Sequence, residues 1–258
     1  GGRGDAWRVG REIVRGNLSE ALDIVLGRPS AADRGSIRHA RELYEAGHYE
    51  QAVSQWPGMF RDERRALRTL ARTKGRKKRA FLAIDKNLRR FYVSAFQSYL
   101  FNQVVARRMA TGLHRLVQGD LAWRHANGAV FEVLDVATEQ PRADAFEISP
   151  SGPLFGYRMT QPKGRAAEIE NAVLAEAELQ AEDFRAPKLR VKGARRALRC
   201  PVRGASIRLG ADDRGAYLEL RFELPRGSYA TSLLRELFVE NSSTEAAAQP
   251  DDALIDCD

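Results

Sequence analysis

A continuous stretch of 24 residues, 87–110, constrains the fold more than any other part of this sequence. Apolar residues recur along it at spacings of three and four, which predicts a long helix with one buried face. We expect this helix to lie at the centre of its domain. Its aromatic side chains are more typical of core packing than of direct base stacking, and they are Phe91, Tyr92, Phe96, Tyr99 and Phe101.

Shorter patterns on both sides of this stretch predict further elements. Capping residues and apolar spacing indicate helices at 7–14, 20–26, 37–46, 49–56 and 166–179. Short apolar pieces bounded by turn residues indicate strands at 115–117, 129–136 and 146–148. Two prolines and two glycines within residues 149–156 predict a stiff, sharply turned loop.

Near the end of the chain, the sequence pattern changes to a strict alternation of apolar and polar residues. Residues 217–224 alternate apolar and polar side chains, which is typical of a half-buried strand. Residues 206–209 should pair with this strand through a turn at 210–215, and a helix is predicted at 229–238. Two strands and one helix cannot form a stable domain alone, so this unit needs more sheet than the chain supplies. The predicted fold class is α+β, mainly helical with short strands and then this β-β-α unit.

Positive charge is concentrated in two segments. The net charge is +8, but residues 61–90 alone hold 13 basic side chains against three acids, and residues 185–203 hold eight basic side chains and no acid. The terminal residues 241–258 hold five acids and no base, and we expect them to be a disordered acidic tail. Two separated basic windows favour a polyanion partner, because neutralising phosphates releases counterions. The alternative is that both windows are merely solvated helix faces.

Several common kinds of site are not indicated. The four histidines, His39, His48, His114 and His125, lack the spacing of a metal site, and the chain has no phosphate-binding glycine loop. We therefore expect neither a metal nor a cofactor. Two cysteines cannot make a disulfide framework, and no apolar run is long enough to span a bilayer. The sequence predicts a monomer in the cytoplasm that has no contact with membranes.

Five separate blocks resemble one known family. They are RRFYVSAFQSYLFN at 89–102, GDL at 119–121, EISPSGPLFG at 147–156, KGARR at 192–196 and PRGSYATSLLRE at 225–236. In number and order these blocks are similar to the TruD family of tRNA pseudouridine synthases, over nearly the whole chain except the acidic tail.

This resemblance implies a domain organisation and a reaction. Residues 1–200 would be the family-specific domain inserted into a pseudouridine synthase catalytic fold, and residues 201–240 would be the last part of the catalytic sheet. The family is an isomerase that converts uridine 13 of tRNA to pseudouridine without a cofactor. The target base is flipped out of its stack, and an aspartate initiates the exchange of the glycosidic bond.

The resemblance and the charge windows together select candidate site residues. The predicted RNA-binding residues are Lys74, Arg76, Lys77, Lys78, Arg89, Arg90, Lys192, Arg195, Arg196 and Arg226. Tyr229 and Arg235 are expected near the uridine pocket. The partner implied is tRNA.

One departure from the family leaves the catalytic residue unassigned. The family's nucleophilic aspartate lies in a Gly-x-Lys-Asp motif upstream of the inserted domain, and no Lys-Asp pair occurs in this sequence. We therefore expect a C-terminal fragment that is inactive alone. The missing aspartate leaves two alternatives open: a non-catalytic RNA-binding module, or a helical interaction adaptor built on the predicted hairpin at 36–56.

Overall fold

The structure, a computed structural model, describes residues 3–185, 191–225, 228 and 230–238. The chain forms two compact units, Gly1–Arg199 and Cys200–Asp258. The predicted acidic tail at 241–258 lies outside the described residues. Helices and small antiparallel sheets are both present, so the α+β class is confirmed.

The first part of the first unit is helical. Its helices are α1 Ala6–Val14, α2 Leu18–Leu26, α3 Gly35–Glu45, α4 Tyr49–Gln55, α5 Arg61–Arg72, α6 Lys77–Leu82 and α7 Lys86–Met109. Helix α7 confirms the long helix predicted from periodicity, and most of the other helices are packed with it in one core. Among the described helices, none combines the length and the apolar character that a membrane span requires.

Helices α1 and α7 pack unusually closely at Gly10. A Cβ atom at this position would lie 2.0 Å from the carbonyl oxygen of Tyr92 and 2.8 Å from the Cβ of Phe96. The absence of a side chain lets the two backbones meet. One turn away, the rings of Trp7 and Tyr99 stack with centroids 4.0 Å apart.

Replacing Gly10 by alanine is expected to lower the free energy of unfolding by about 1–3 kcal/mol, because α1 and α7 must separate to admit the methyl group. Gly58 is the matched control: the nearest atom to its added Cβ is the Nη1 of Arg64 at 3.6 Å, and its φ is not positive. Urea unfolding followed by circular dichroism would measure both variants. Equal midpoints for Gly10→Ala and Gly58→Ala would contradict the close packing of these helices.

A four-stranded antiparallel sheet follows α7. Its strands are β1 Leu121–Arg124, β2 Val130–Glu132, β3 Ile148–Leu154 and β4 Ala194–Ala197, in the order β2-β1-β3-β4. Three helical segments are interspersed: α8 Val136–Asp144, α9 Gly164–Glu176 and a 3-10 turn at Ala181–Arg185. Strand β3 is buried along almost its whole length and packs against α7.

The sequence-based assignment was least accurate in this sheet. Residues 115–117 are not a strand, and the strand predicted at 129–136 ends early because α8 begins at Val136. The loop predicted at 149–156 is largely strand β3. The prolines are tolerated because their carbonyls still accept hydrogen bonds, as Pro150 does from the amide of Leu198 at 2.9 Å. Gly152 admits the side chains of Phe101 and Leu198, which would be 2.9–3.2 Å from an added Cβ.

The second unit contains a hairpin of β5 Arg203–Asp212 and β6 Gly215–Glu223, followed by α10 Ala230–Leu237. These elements agree with the predicted β-β-α order. Ile207 pairs with Leu220 and Leu209 pairs with Leu218, which places four apolar side chains on one face. Ile207 is 65% exposed and Leu209 is 87% exposed. A two-stranded sheet with such an open apolar face needs further structure to cover it.

Candidate nucleic-acid interface

The turn between α5 and α6 gathers basic side chains into one hollow. Helix α5 ends at Arg72, and Lys74 and Gly75 then adopt left-handed backbone conformations with φ of 51° and 83°. The amide of Gly75 donates to the carbonyl of Leu70 at 3.0 Å, which closes the end of α5. The chain reverses there, so cations from both sides of the turn line the same surface hollow: Arg72, Lys74, Arg76 and Arg79.

These four residues form what we term the cationic hollow, and their charges are not neutralised internally. All four side chains are exposed, and none forms an ion pair with an acid in the part of the chain that is described. Lys78 and Arg90, also exposed, likewise have no ion pair with a described acid. Because no described acid offsets the repulsion between these cations, they are available to bind an external polyanion.

Lys77 lies in the same window but has a structural role. Its Nζ is 2.7 Å from Oδ1 of Asp23 on α2, and the same carboxylate accepts a hydrogen bond from the hydroxyl of Tyr44 on α3. Burial and this hydrogen bond raise the pKa of Tyr44. The three side chains join α6 to α2 and α3. Because the Lys77 side chain is still 37% exposed, its contact with RNA stays a prediction. Arg89 is half-buried, and its Nε donates to the carbonyl of Ile84 at 3.0 Å.

The second basic window is used in part within the fold, by Arg195 and Arg199, whereas Arg185, Lys192 and Arg203 are exposed. Arg195 is buried, with both terminal guanidinium nitrogens bound to the Glu170 carboxylate at 2.7 and 2.8 Å and further bonds to Ser151. Burial raises the pKa of Glu170, and the bonds from Arg195 oppose this effect. Arg195 cannot reach a phosphate in this state. The prediction that it binds RNA is replaced by a structural role, which joins β4 to α9.

Other residues of this window differ in their availability. Arg199 donates from Nε to the Ser149 hydroxyl at 2.8 Å and lies over the ring of Phe146 at 4.2 Å. Arg196 lies 5.3 Å from the ring centre of Phe101. Lys192 is exposed. The charge count of the window therefore overstates its capacity to bind a polyanion.

The remaining predicted site residues cannot be placed. Arg226 and Tyr229 lie outside the described residues, and only the backbone of Arg235, within α10, is described. Conversely, the structure adds Arg72 and Arg79, which the predicted set omitted. The Lys74-Gly75 pair could have indicated them in the sequence. A glycine between two basic helical segments allows the chain to reverse, and the reversal brings the basic side chains of both segments together.

A helical unit with an unpaired cationic hollow has the surface chemistry of a nucleic-acid-binding protein. Comparison with known proteins is more specific. The family model described as tRNA pseudouridine synthase D (TruD) matches residues 1–237. The chain belongs to the TruD family of tRNA pseudouridine synthases.

Individual relatives agree with this assignment. The tRNA pseudouridine synthase D of Geobacter sulfurreducens is 42% identical over 236 residues, which are 91% of this chain and 57% of the relative. That of Thermus thermophilus is 45% identical over 164 residues, 63% of this chain and 44% of the relative. The crystal structure described as tRNA pseudouridine synthase D of Methanosarcina mazei superposes with a TM-score of 0.78 at 28% identity, over 90% of this chain and 57% of that one. The chain thus spans little more than half the length of such relatives.

Proposed function

We propose that this chain is part of a tRNA pseudouridine synthase that isomerises uridine 13 of tRNA. The observation on which the proposal rests is the family match over residues 1–237. Residues 1–200 would form the inserted domain, and residues 201–240 the closing part of the catalytic sheet. The exposed apolar face of the β5–β6 hairpin supports this division, because the rest of a catalytic sheet would cover it. A monomeric, cytoplasmic enzyme is proposed with it.

The proposed reaction rearranges one nucleoside and needs no cofactor. The bond between N1 of uracil and C1′ of the ribose breaks, the base rotates, and C5 forms the new bond to C1′. The hydrogen on C5 leaves as a proton, and N1 gains one, so atoms and electrons balance. An aspartate initiates the exchange in this family, and we propose that it is supplied by sequence other than these 258 residues, since they contain no Lys-Asp motif.

In this reaction the described residues would hold the RNA. We propose that phosphates bind the cationic hollow together with Lys78, Arg90 and Lys192, all of which are exposed. Arg196 and Arg89 would contribute only where their half-buried guanidinium groups reach the surface. Arg226 remains a proposed phosphate contact, and Tyr229 and Arg235 remain proposed neighbours of the uridine pocket.

The activity assay compares two proteins on tRNA labelled with tritium at C5 of uridine. One is the 258-residue chain, and the other is the same chain preceded by the residues that its gene encodes upstream. We expect the longer protein to release the label and the 258-residue chain to bind tRNA without releasing it. Substituting cytidine at position 13 should abolish the release, because the other uridines are not targets.

Two results would contradict parts of this proposal. Release of label by the 258-residue chain would show that the nucleophile lies within it. Release that persists with cytidine at position 13 would show another target uridine. If the longer protein binds tRNA but converts none, the alternative of a non-catalytic RNA-binding module is favoured.

A further inference from the structure

The helical unit contains a half-open cavity of about 390 Å³ on the inner side of α1, α3, α5 and α7. This volume lies within the range of small-ligand sites. The cavity is distinct from the cationic hollow. No pattern in the sequence predicted it. The lining residues that matter below are Trp56, Phe60, Glu63, Phe91 and Tyr92.

Four of the 17 lining residues are aromatic, beside six charged and seven aliphatic ones. Trp56 is 2% exposed and meets the ring of Phe60 edge to face at 5.3 Å between centroids. Phe91, predicted to be part of the core, is instead 54% exposed while lining the cavity, so it lies at the opening. A large aromatic ring at the mouth of a cavity that also contains Trp56, Phe60 and Tyr92 is suited to stacking on a planar ligand.

The wall behind Trp56 is fixed by a buried ion pair. The guanidinium of Arg41 lies 5.2 Å from the centre of the Trp56 ring, and its Nε is 3.1 Å from Oδ1 of Asp33. Arg41 also donates from Nη1 to the carbonyls of Val25 and Gly27 at 2.9 and 2.7 Å. Arg41 holds the indole in place through its ion pair and the bonds of Nη1, although its buried Nε makes no hydrogen bond to a described residue.

Three polar groups on the lining are not occupied in this way. The Nε1 of Trp56 is buried and has no hydrogen-bond partner among the described residues. The hydroxyl of Tyr92 makes no hydrogen bond to a described residue, and the Glu63 carboxyl forms no ion pair there and meets only its own backbone amide. Burial raises the pKa of both Glu63 and Tyr92. Leaving a buried donor unpaired costs free energy, so a native ligand with matching edge groups would recover it.

We propose that this cavity binds an unpaired nucleobase of the tRNA. The inference rests on the proposed function, which supplies the RNA. A base is a planar ring with N–H and carbonyl or ring-nitrogen groups on its edge, so its faces suit Phe91 and Trp56 and its edge suits the indole N–H, the Tyr92 hydroxyl and the Glu63 carboxyl. A purely apolar ligand would leave those three groups unpaired.

The first test is tRNA binding by the 258-residue chain with Phe91→Ala. Base–aromatic stacking of at least about 1 kcal/mol corresponds to an affinity loss of about five-fold or more. Met109→Ala is the matched control, since Met109 lies on the same helix and is 63% exposed. It should change the affinity by less than about two-fold, because a single exposed apolar side chain away from the cavity contributes little. Both substitutions are neutral, so the salt dependence should stay the same.

The second test uses the four nucleoside 5′-monophosphates as probes. Their titration should quench tryptophan fluorescence in the unaltered chain, and Trp56→Phe should remove the quenching while Trp7 and Trp123 still report folding. Glu63→Gln, which keeps the side-chain size, should change the order of preference among the four bases, because it exchanges an acceptor for a donor.

The two proposals fail in different ways. If the unaltered chain does not bind tRNA, the proposed RNA-binding function is wrong, and the nucleotide titration alone then decides whether the cavity takes a base. If tRNA binds but Phe91→Ala matches Met109→Ala, and no nucleotide quenches the Trp56 signal, the cavity is not a base site while the RNA-binding proposal stands.

Discussion

Replacing Asp120 by alanine is expected to destabilise the chain by about 3–5 kcal/mol, the largest effect we expect from any single substitution. Asp120 is 1% exposed and accepts hydrogen bonds from both terminal nitrogens of Arg108 at 2.7 and 3.0 Å. Arg108, near the end of α7, is equally buried and also donates to the carbonyl of Arg115 at 2.8 Å. Removing the carboxylate leaves a guanidinium charge without its counter-charge in the interior, which is the costly step.

The ion pair of Arg108 and Asp120 fixes the connection between α7 and the sheet. Asp120 immediately precedes β1, and its Oδ2 also accepts from the amide of Val117 at 2.8 Å, so one carboxylate closes the turn before β1 and ties it to α7. Urea unfolding of Asp120→Ala would measure the cost. The exposed pair of Arg38 and Glu42 is the control, and Glu42→Ala should cost less than about 1 kcal/mol.

A double variant separates loss of the pair from loss of packing. Arg108→Met with Asp120→Ala should recover part of the stability lost in Asp120→Ala, because no unpaired charge then remains buried. If the losses of unfolding free energy in Arg108→Met and in Asp120→Ala add up to the loss in the double variant, the buried charge is not the cause. If Asp120→Ala is as mild as Glu42→Ala, the ion pair does not hold α7 to the sheet.

Local sequence patterns were sufficient to predict those helices and strands whose structure depends only on their own residues. The spacing in residues 87–110 predicted α7, and alternation in 217–224 predicted β6, because burial of one face depends only on the period of the chain. The sheet of the first unit was assigned poorly for the opposite reason. Strand β3 contains two prolines, and it is a strand only because β1 and β4, distant in sequence, flank it.

The same distinction applies to the proposed RNA-binding residues. Local charge predicted the basic segment around α5 and α6, but it could not tell which cations are occupied. Lys77 is paired with Asp23, 54 residues earlier, and Arg195 with Glu170, 25 residues earlier. Asp120, which accepts from the amide of Val117 in the turn before β1, also neutralises a buried arginine. Such pairings depend on tertiary contacts that no local window contains.

The cationic hollow gives the second large effect we expect. Replacing Arg72, Lys74, Arg76 and Arg79 together by glutamine should lower the slope of log affinity for tRNA against log salt concentration by about 3. Each cation that neutralises a phosphate contributes about 0.7–0.9 to that slope through counterion release, so four contacts give this total. Dissociation constants measured between about 0.05 and 0.3 M salt would determine it. The loss of affinity should be greatest at low salt.

A matched variant shows whether position or only net charge matters. Arg28, Arg38, Lys163 and Arg165 each form an exposed ion pair, with Glu20, Glu42, Glu132 and Glu168 respectively. Replacing these four by glutamine removes the same formal charge, yet the slope should hardly change, because they are already neutralised locally and make no proposed phosphate contact. Parallel salt plots for the two quadruple variants would mean that the chain attracts RNA through its total charge. Loss of slope in the hollow variant alone would place phosphates at the turn between α5 and α6, where Lys74 and Gly75 reverse the chain.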